Sequence, residues 1–220
     1  MGFLSQLTVL LAAASSVAAE SVPANAAPQI TSIKFSGNGC TKDPKFSGSF
    51  NNPTITFSDF SVSVPGDKTS NCQVHLQATG ASPGWQVAIK KNVVKGYLVL
   101  SPGSSFTHFT TIFFSQDAAN TVGLLYFILP QRGSQVTFTD KACPKQDTIS
   151  DTVSNTGDKI THEDVTLYSH AGDKRVWSPC TNQDGYTGIL NVNLRGALSG
   201  AGKSHFAAKT EEWELEWRRC

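Results

Sequence analysis

Charge is scarce in this sequence. Only 16% of its 220 residues are Asp, Glu, Lys or Arg, against roughly 25% in an average globular chain. The 18 basic residues are balanced by 17 acidic ones, and the net charge is +1. That leaves no concentrated basic surface of the kind that displaces counterions from nucleic acid or settles on an anionic membrane. Long apolar runs are missing too. The two most apolar stretches, Leu7 to Ala14 and Val122 to Pro130, fall short of the about 20 residues that a membrane-spanning helix needs. There is no Asn-x-Ser/Thr acceptor for a glycan, since Asn52 is followed by Pro53. His-Glu-x-x-His, Gly-x-Ser-x-Gly and Cys-x-x-Cys are also absent, which removes the zinc-protease, hydrolase-elbow and thiol-redox motifs. Gly200-Ala201-Gly202-Lys203-Ser204 imitates the end of a phosphate loop, but Ala197 stands where the first Gly is required.

What the chain has instead is hydroxyls and alternation. Ser and Thr together number 45, so they cover much of the surface, while 39% apolar residues with 13 Phe suffice for a real core. Ile33 and Phe35 alternate with polar neighbours, as do Ile55 and Phe57. After Asp59 the phase switches to Phe60, Val62 and Val64, which predicts a bend or a bulge. Further period-two segments follow at Cys72-Val74-Leu76, Trp85-Val87-Ile89, Val94 to Leu100, Phe106 to Phe114, Leu190-Val192-Leu194 and Trp213-Leu215-Trp217. Turn residues bound them, as in Pro65-Gly66-Asp67 and Ser101-Pro102-Gly103-Ser104. Eight or more short strands of this kind predict an all-β fold, an antiparallel β-sandwich forming a single domain.

Met1 to Ala19 has no charged residue, a short apolar stretch and a small-residue site at Val17-Ala18-Ala19. It reads as a signal peptide cleaved before Glu20, which predicts a secreted, extracellular mature chain of residues 20–220 and an oxidising compartment for the cysteines. Five cysteines is an odd number.

Several strings, in order, carry a resemblance. They are Gly37-Asn38-Gly39-Cys40, Asp67 to Leu76 around Cys72, Phe114-Ser115-Gln116-Asp117, Val176-Trp177-Ser178-Pro179-Cys180, Leu190-Asn191-Val192-Asn193 and Leu215 to Cys220. Together they resemble the small secreted fungal proteins of the domain of unknown function 4360. The resemblance implies a secreted all-β protein with paired cysteines and supplies no catalytic residues. It matches Cys40, Cys72, Cys180 and Cys220, which predicts two disulfides; three connectivities are open. Nothing in the pattern corresponds to Cys143.

That fifth cysteine lies in a block, Val122 to Gln146, that interrupts the pattern and contains the continuously apolar Val122 to Pro130. One reading is a translated, unspliced intron. Its 25 residues keep the frame, Val codons begin with the donor dinucleotide, Gln146 fits an acceptor, and Thr139-Asp140 fits a branch sequence. The other is a genuine inserted hairpin with a free or intermolecularly paired Cys143. Without the block the net charge becomes −1, since Arg132, Lys141 and Lys145 leave with Asp140.

Candidate chemistry is thin. Asp59, Asp67 and Asp117 sit near loops, where hydrogen bonding within turns is their ordinary role. Asp164 with His162 is a conceivable metal pair. His75, His108, His170 and His205 read as surface histidines. Glu212, Glu214 and Glu216 face away from Trp213, Leu215 and Trp217, and read as a solvated face beside Arg218 and Arg219. Trp85, Trp177, Tyr97 and Tyr186 lie near strand ends or Gly/Pro-rich loops and could stack on sugar rings. The expected function is therefore binding, with cell-wall polysaccharide or a host surface component as partner, no nucleic acid, no membrane span and no cofactor. The alternative is a secreted hydrolase or metal-dependent enzyme, signalled by convergence of these carboxylates and histidines in a pocket.

Overall fold

The computed structural model describes residues 28–115, 145–173 and 175–220. The leader Met1 to Ala19, Asp117, Cys143 and residues 122–144 of the interrupting block lie outside the described residues. Eleven strands are described: β1 (Gln29–Ser36), β2 (Lys45–Ser49), β3 (Asn52–Thr56), β4 (Ser61–Val64), β5 (Thr69–Thr79), β6 (Trp85–Leu100), β7 (Ser105–Ser115), β8 (Gln146–Ser154), β9 (Thr161–His170), β10 (Ile189–Ser199) and β11 (Ser204–Arg219). They form two antiparallel sheets packed as a sandwich. The first has the order β1-β5-β10-β7-β8; the second has β2-β3-β11-β6-β9, with β4 also paired to β11.

The alternation read from the sequence produces this core. On β5 the residues Cys72, Val74, Leu76 and Ala78 are all buried, and the polar residues between them face outward. Phe106 of the first sheet stacks on Phe206 of the second, ring centroids 4.0 Å apart, across the space between the sheets. Gly96 allows that packing, because a Cβ there would fall 2.6 Å from the Phe206 ring. The phase switch after Asp59 is a bend that separates β3 from β4, both of which pair with β11.

Two disulfides form, Cys40–Cys72 and Cys180–Cys220. The first ties the loop after β1 to β5, and the second ties the loop before β10 to the end of β11.

The interior is not wholly apolar. Asn92 Nδ2 donates to Thr110 Oγ1 across the two sheets, and His108 Nε2 meets Ser169 Oγ at 3.2 Å. His108 is completely buried, which corrects its reading as a surface histidine: in β7 it shares the inward row with Phe106, Thr110 and Ile112. Glu211 is also completely buried. The side chains of Asn92 and Trp213 neighbour it, yet neither carboxyl oxygen has a hydrogen bond of ordinary geometry.

Strands β7 and β8 are antiparallel neighbours, with Ile112 opposite Asp147. A chain lacking residues 122–146 would keep nine residues, 113–121, between these two partners, ample for a hairpin. The shortened chain is therefore expected to fold with the same disulfides and a comparable denaturation midpoint. Failure of the purified short form to give cooperative unfolding would contradict this.

Candidate functional site

The long strand β6 lies between β11 and β9, and every second residue of its middle turns outward. Its outward row is Lys91, Val93, Lys95, Tyr97 and Val99, opposite His170, Tyr168, Thr166, Asp164 and His162 of β9. Tyr97 and Tyr168 are 38% and 49% exposed, and with Ile160 they are the exposed large hydrophobics of the described residues. Tyr97 pairs with Asp164, four residues from Tyr168. At 3.3 Å per residue and 4.8 Å between strands, the Cα positions of the two tyrosines are therefore about 14 Å apart. The alternation that buries Leu98 and Leu167 is what turns both phenols outward.

Paired charges surround the rings. Lys95 Nζ contacts Glu212 Oε1 at 2.6 Å, Lys90 contacts Glu214 at 2.6 Å, and Lys209 contacts Asp164 at 2.6 Å. Lys91 Nζ stands 4.5 Å from the centroid of Tyr168. Hydrogen bonding from Lys90 holds the Glu214 carboxyl below its ordinary range despite some desolvation. Beside Tyr168, Pro53, Thr54, Val93 and Glu212 line a shallow depression. The surface therefore offers two exposed phenol rings set among mostly paired charges and hydroxyls.

Glu212, Glu214 and Glu216 of β11 find counterions on a neighbouring strand and a loop. Glu216 pairs with Arg175. Arg218 instead lies over Trp177 at 3.9 Å and Arg219 over Trp85 at 5.0 Å. Of the aromatic candidates, Trp85 is buried at 4% exposure and belongs to the core, Trp177 and Tyr186 are half-buried, and Tyr97 alone is exposed. Tyr168 went unnoticed in the sequence, although it alternates with Leu167 and Ser169 on a polar strand.

The acidic candidates are dispersed. Asp59 Oδ2 accepts from Thr41 Oγ1 at 2.5 Å and from the Lys42 N–H at 2.9 Å. Burial works against its charge, but these bonds and Lys42 hold its carboxyl below the ordinary range. Asp67 lies in the turn between β4 and β5, and its carbonyl accepts from the Ser63 N–H. Asp164 is occupied by Lys209, while His162 Nδ1 meets the Tyr97 hydroxyl at 3.5 Å. His75 faces outward on β5, its Nδ1 2.7 Å from Asn191 Oδ1. Among the described residues no three His, Cys, Asp or Glu come together to hold a metal ion, and no described helix is long and apolar enough to cross a membrane.

No curated protein matches the sequence. Among solved structures, TmCBM61 in complex with β-1,4-galactotriose aligns with 90% of this chain and 98% of its own, at 9% identity and a TM-score of 0.23, an overlap too loose to carry an argument. The family model described as Domain of unknown function (DUF4360) matches residues 26–220, so with its two disulfides and all-strand architecture the chain belongs to that family.

Proposed function

We propose that this is a secreted, wall-associated protein that binds extracellular polysaccharide on the outer face of β6 and β9. The observation that carries the reading is the pair of exposed rings, Tyr97 and Tyr168, on one sheet face. A tyrosine ring is an apolar plate with a polar edge, which suits the apolar face of a pyranose and its rim of hydroxyls. Two plates further apart than one sugar ring suit a polymer better than a monosaccharide. Ion-paired side chains between them present hydrogen-bonding groups without a strong net charge. The paired cysteines are consistent with an extracellular setting.

Affinity electrophoresis in gels containing purified wall glucans tests this. Each of Tyr97→Ala and Tyr168→Ala removes the stacking area for one ring, about 1 to 2 kcal/mol, so affinity should fall about five- to thirtyfold per substitution. Stability should change little, because both rings are exposed. Retention that survives the double variant would sink the reading, as would retention lost through Trp177→Ala instead.

A further inference from the structure

The outer face of the first sheet has a different chemistry. Its outward rows are fixed by the register: Lys34 opposite His75, His75 opposite Asn191, Asn191 opposite Phe113, and Phe113 opposite Gln146. Followed along the five strands, these rows pass through hydroxyls, amides and two half-buried rings, Phe109 and Phe113. They contain no Asp or Glu. Threonines pair across β7 and β8, Thr107 with Thr152 at 2.9 Å and Thr111 with Thr148 at 3.0 Å.

The fixed cations of this face are Lys34 and Arg195, and neither has an ion pair among the described residues. On the second sheet Lys90, Lys95 and Lys209 are each matched by a carboxylate. Arg195 is exposed on the central strand β10, its guanidinium 5.6 Å from the Phe109 ring centroid, so it is held in place without being neutralised. The nearest carboxylates stand at the rims. Asp43 shares a depression with Lys34 beyond β1. Asp147 and Asp151 lie opposite Ile112 and His108, on the core side of β8, and Asp151 accepts from the Tyr168 N–H.

We infer that this face binds a carboxylated polysaccharide. Lys34 and Arg195 take carboxylates of the polymer, and the surrounding Thr and Gln side chains take ring hydroxyls. Charge complementarity selects an acidic ligand, since the face carries positive charge and no acid. The hydroxyl and amide carpet selects a sugar polymer, because two fixed cations are far fewer than the phosphate contacts that drive nucleic-acid binding. An anionic bilayer is a poor fit, as none of the exposed large hydrophobics of the described residues lies on this face. The inference does not rest on the tyrosine face.

The test is affinity electrophoresis of the full chain in polygalacturonate, in a neutral glucan and against a DNA oligonucleotide. Polygalacturonate should retard the protein in a salt-sensitive way, and Lys34→Ala with Arg195→Ala should weaken that about tenfold. Lys45→Ala, which removes an exposed cation on β2 of the opposite sheet, should leave it unchanged. No retardation by polygalacturonate overturns the inference, as does retardation indifferent to Lys34 and Arg195. Equally strong DNA binding with the same sensitivity also overturns it, by reducing the face to a general anion site. Loss of neutral-glucan retention in the tyrosine variants alone reports on the other face.

Discussion

Breaking the Cys180–Cys220 bridge is expected to cost about 4 kcal/mol of stability. The bridge closes a loop of 40 residues, and constraining the unfolded chain over that length removes about 4 kcal/mol of its conformational entropy on the loop-closure model. A domain of this kind has only about 5 to 15 kcal/mol in total. The end of β11 also depends on local contacts: the Cys220 N–H donates to the Gly84 carbonyl at 2.9 Å, and Arg218 and Arg219 lie over Trp177 and Trp85. Cys180→Ser with Cys220→Ser should therefore unfold at a much lower urea concentration, with fraying of β11 as the first visible change. The Cys40–Cys72 bridge, over 32 residues, should be worth nearly as much. A loss below about 1 kcal/mol would show that the unfolded chain is already compact enough to make the bridge redundant.

Glu211→Gln is expected to stabilise the protein progressively as pH rises. Burial pushes the Glu211 carboxyl up from 4.5 to about 7, against the opposing influence of the Trp213 and Asn92 side chains. Between those two values the folded state keeps a proton that the unfolded state has lost, so the contribution of Glu211 to stability falls with rising pH. Glutamine does not titrate. The difference between variant and parent should be small below about pH 4.5, grow across the interval and level off near about 3 kcal/mol above pH 7.

His108 behaves in the opposite sense. Burial lowers it from 6.5 to about 4, with Asp151 opposing, so its contribution is lost as pH falls through that interval. The two groups offset each other between about pH 4.5 and 6.5, where folding in effect moves a proton from the imidazole to the carboxyl. The parent should therefore show a nearly flat stability profile there as far as these two groups decide it, and the single variants should not. Urea denaturation of parent and variant across this range checks the expectation. A difference independent of pH would mean that Glu211 is hydrated or ionised in the folded state.

These buried polar residues mark the boundary of what alternation reveals. On β5 the pattern Cys72-Val74-Leu76 was sufficient, because an inward row without polar residues has one reading. On β11 the row from Trp213 extends back to Glu211, but Phe206 and Ala208 have the opposite parity. The register shift between Ala208 and Thr210 reconciles them, and nothing in the residue types announces that bulge. His108 and Thr110 were hidden for a related reason: each has a partner across the sheets, Ser169 for His108 Nε2 and Asn92 for Thr110, and such partners are distant in sequence.

The candidate site was half visible. Tyr97 was legible as an aromatic near a strand end, but its place inside β6 and its relation to Tyr168 depend on the pairing of β6 with β9, a long-range register that spacing does not encode. The carboxylate-free face of the first sheet was hidden in the same way. Its five strands come from across the chain, and overall composition, balanced at 18 basic and 17 acidic residues, averages the two faces together.

Polysaccharide is expected to touch the protein on the outer face of β6 and β9. Backbone chemical shifts of the labelled chain, followed during titration with a wall-glucan oligosaccharide, locate that contact residue by residue. The predicted result is a set of perturbations confined to β6 and β9 around Val93, Tyr97, Asp164 and Tyr168. Perturbations centred instead on the loop at Thr181 to Asp184, or no saturable change at all, would contradict it.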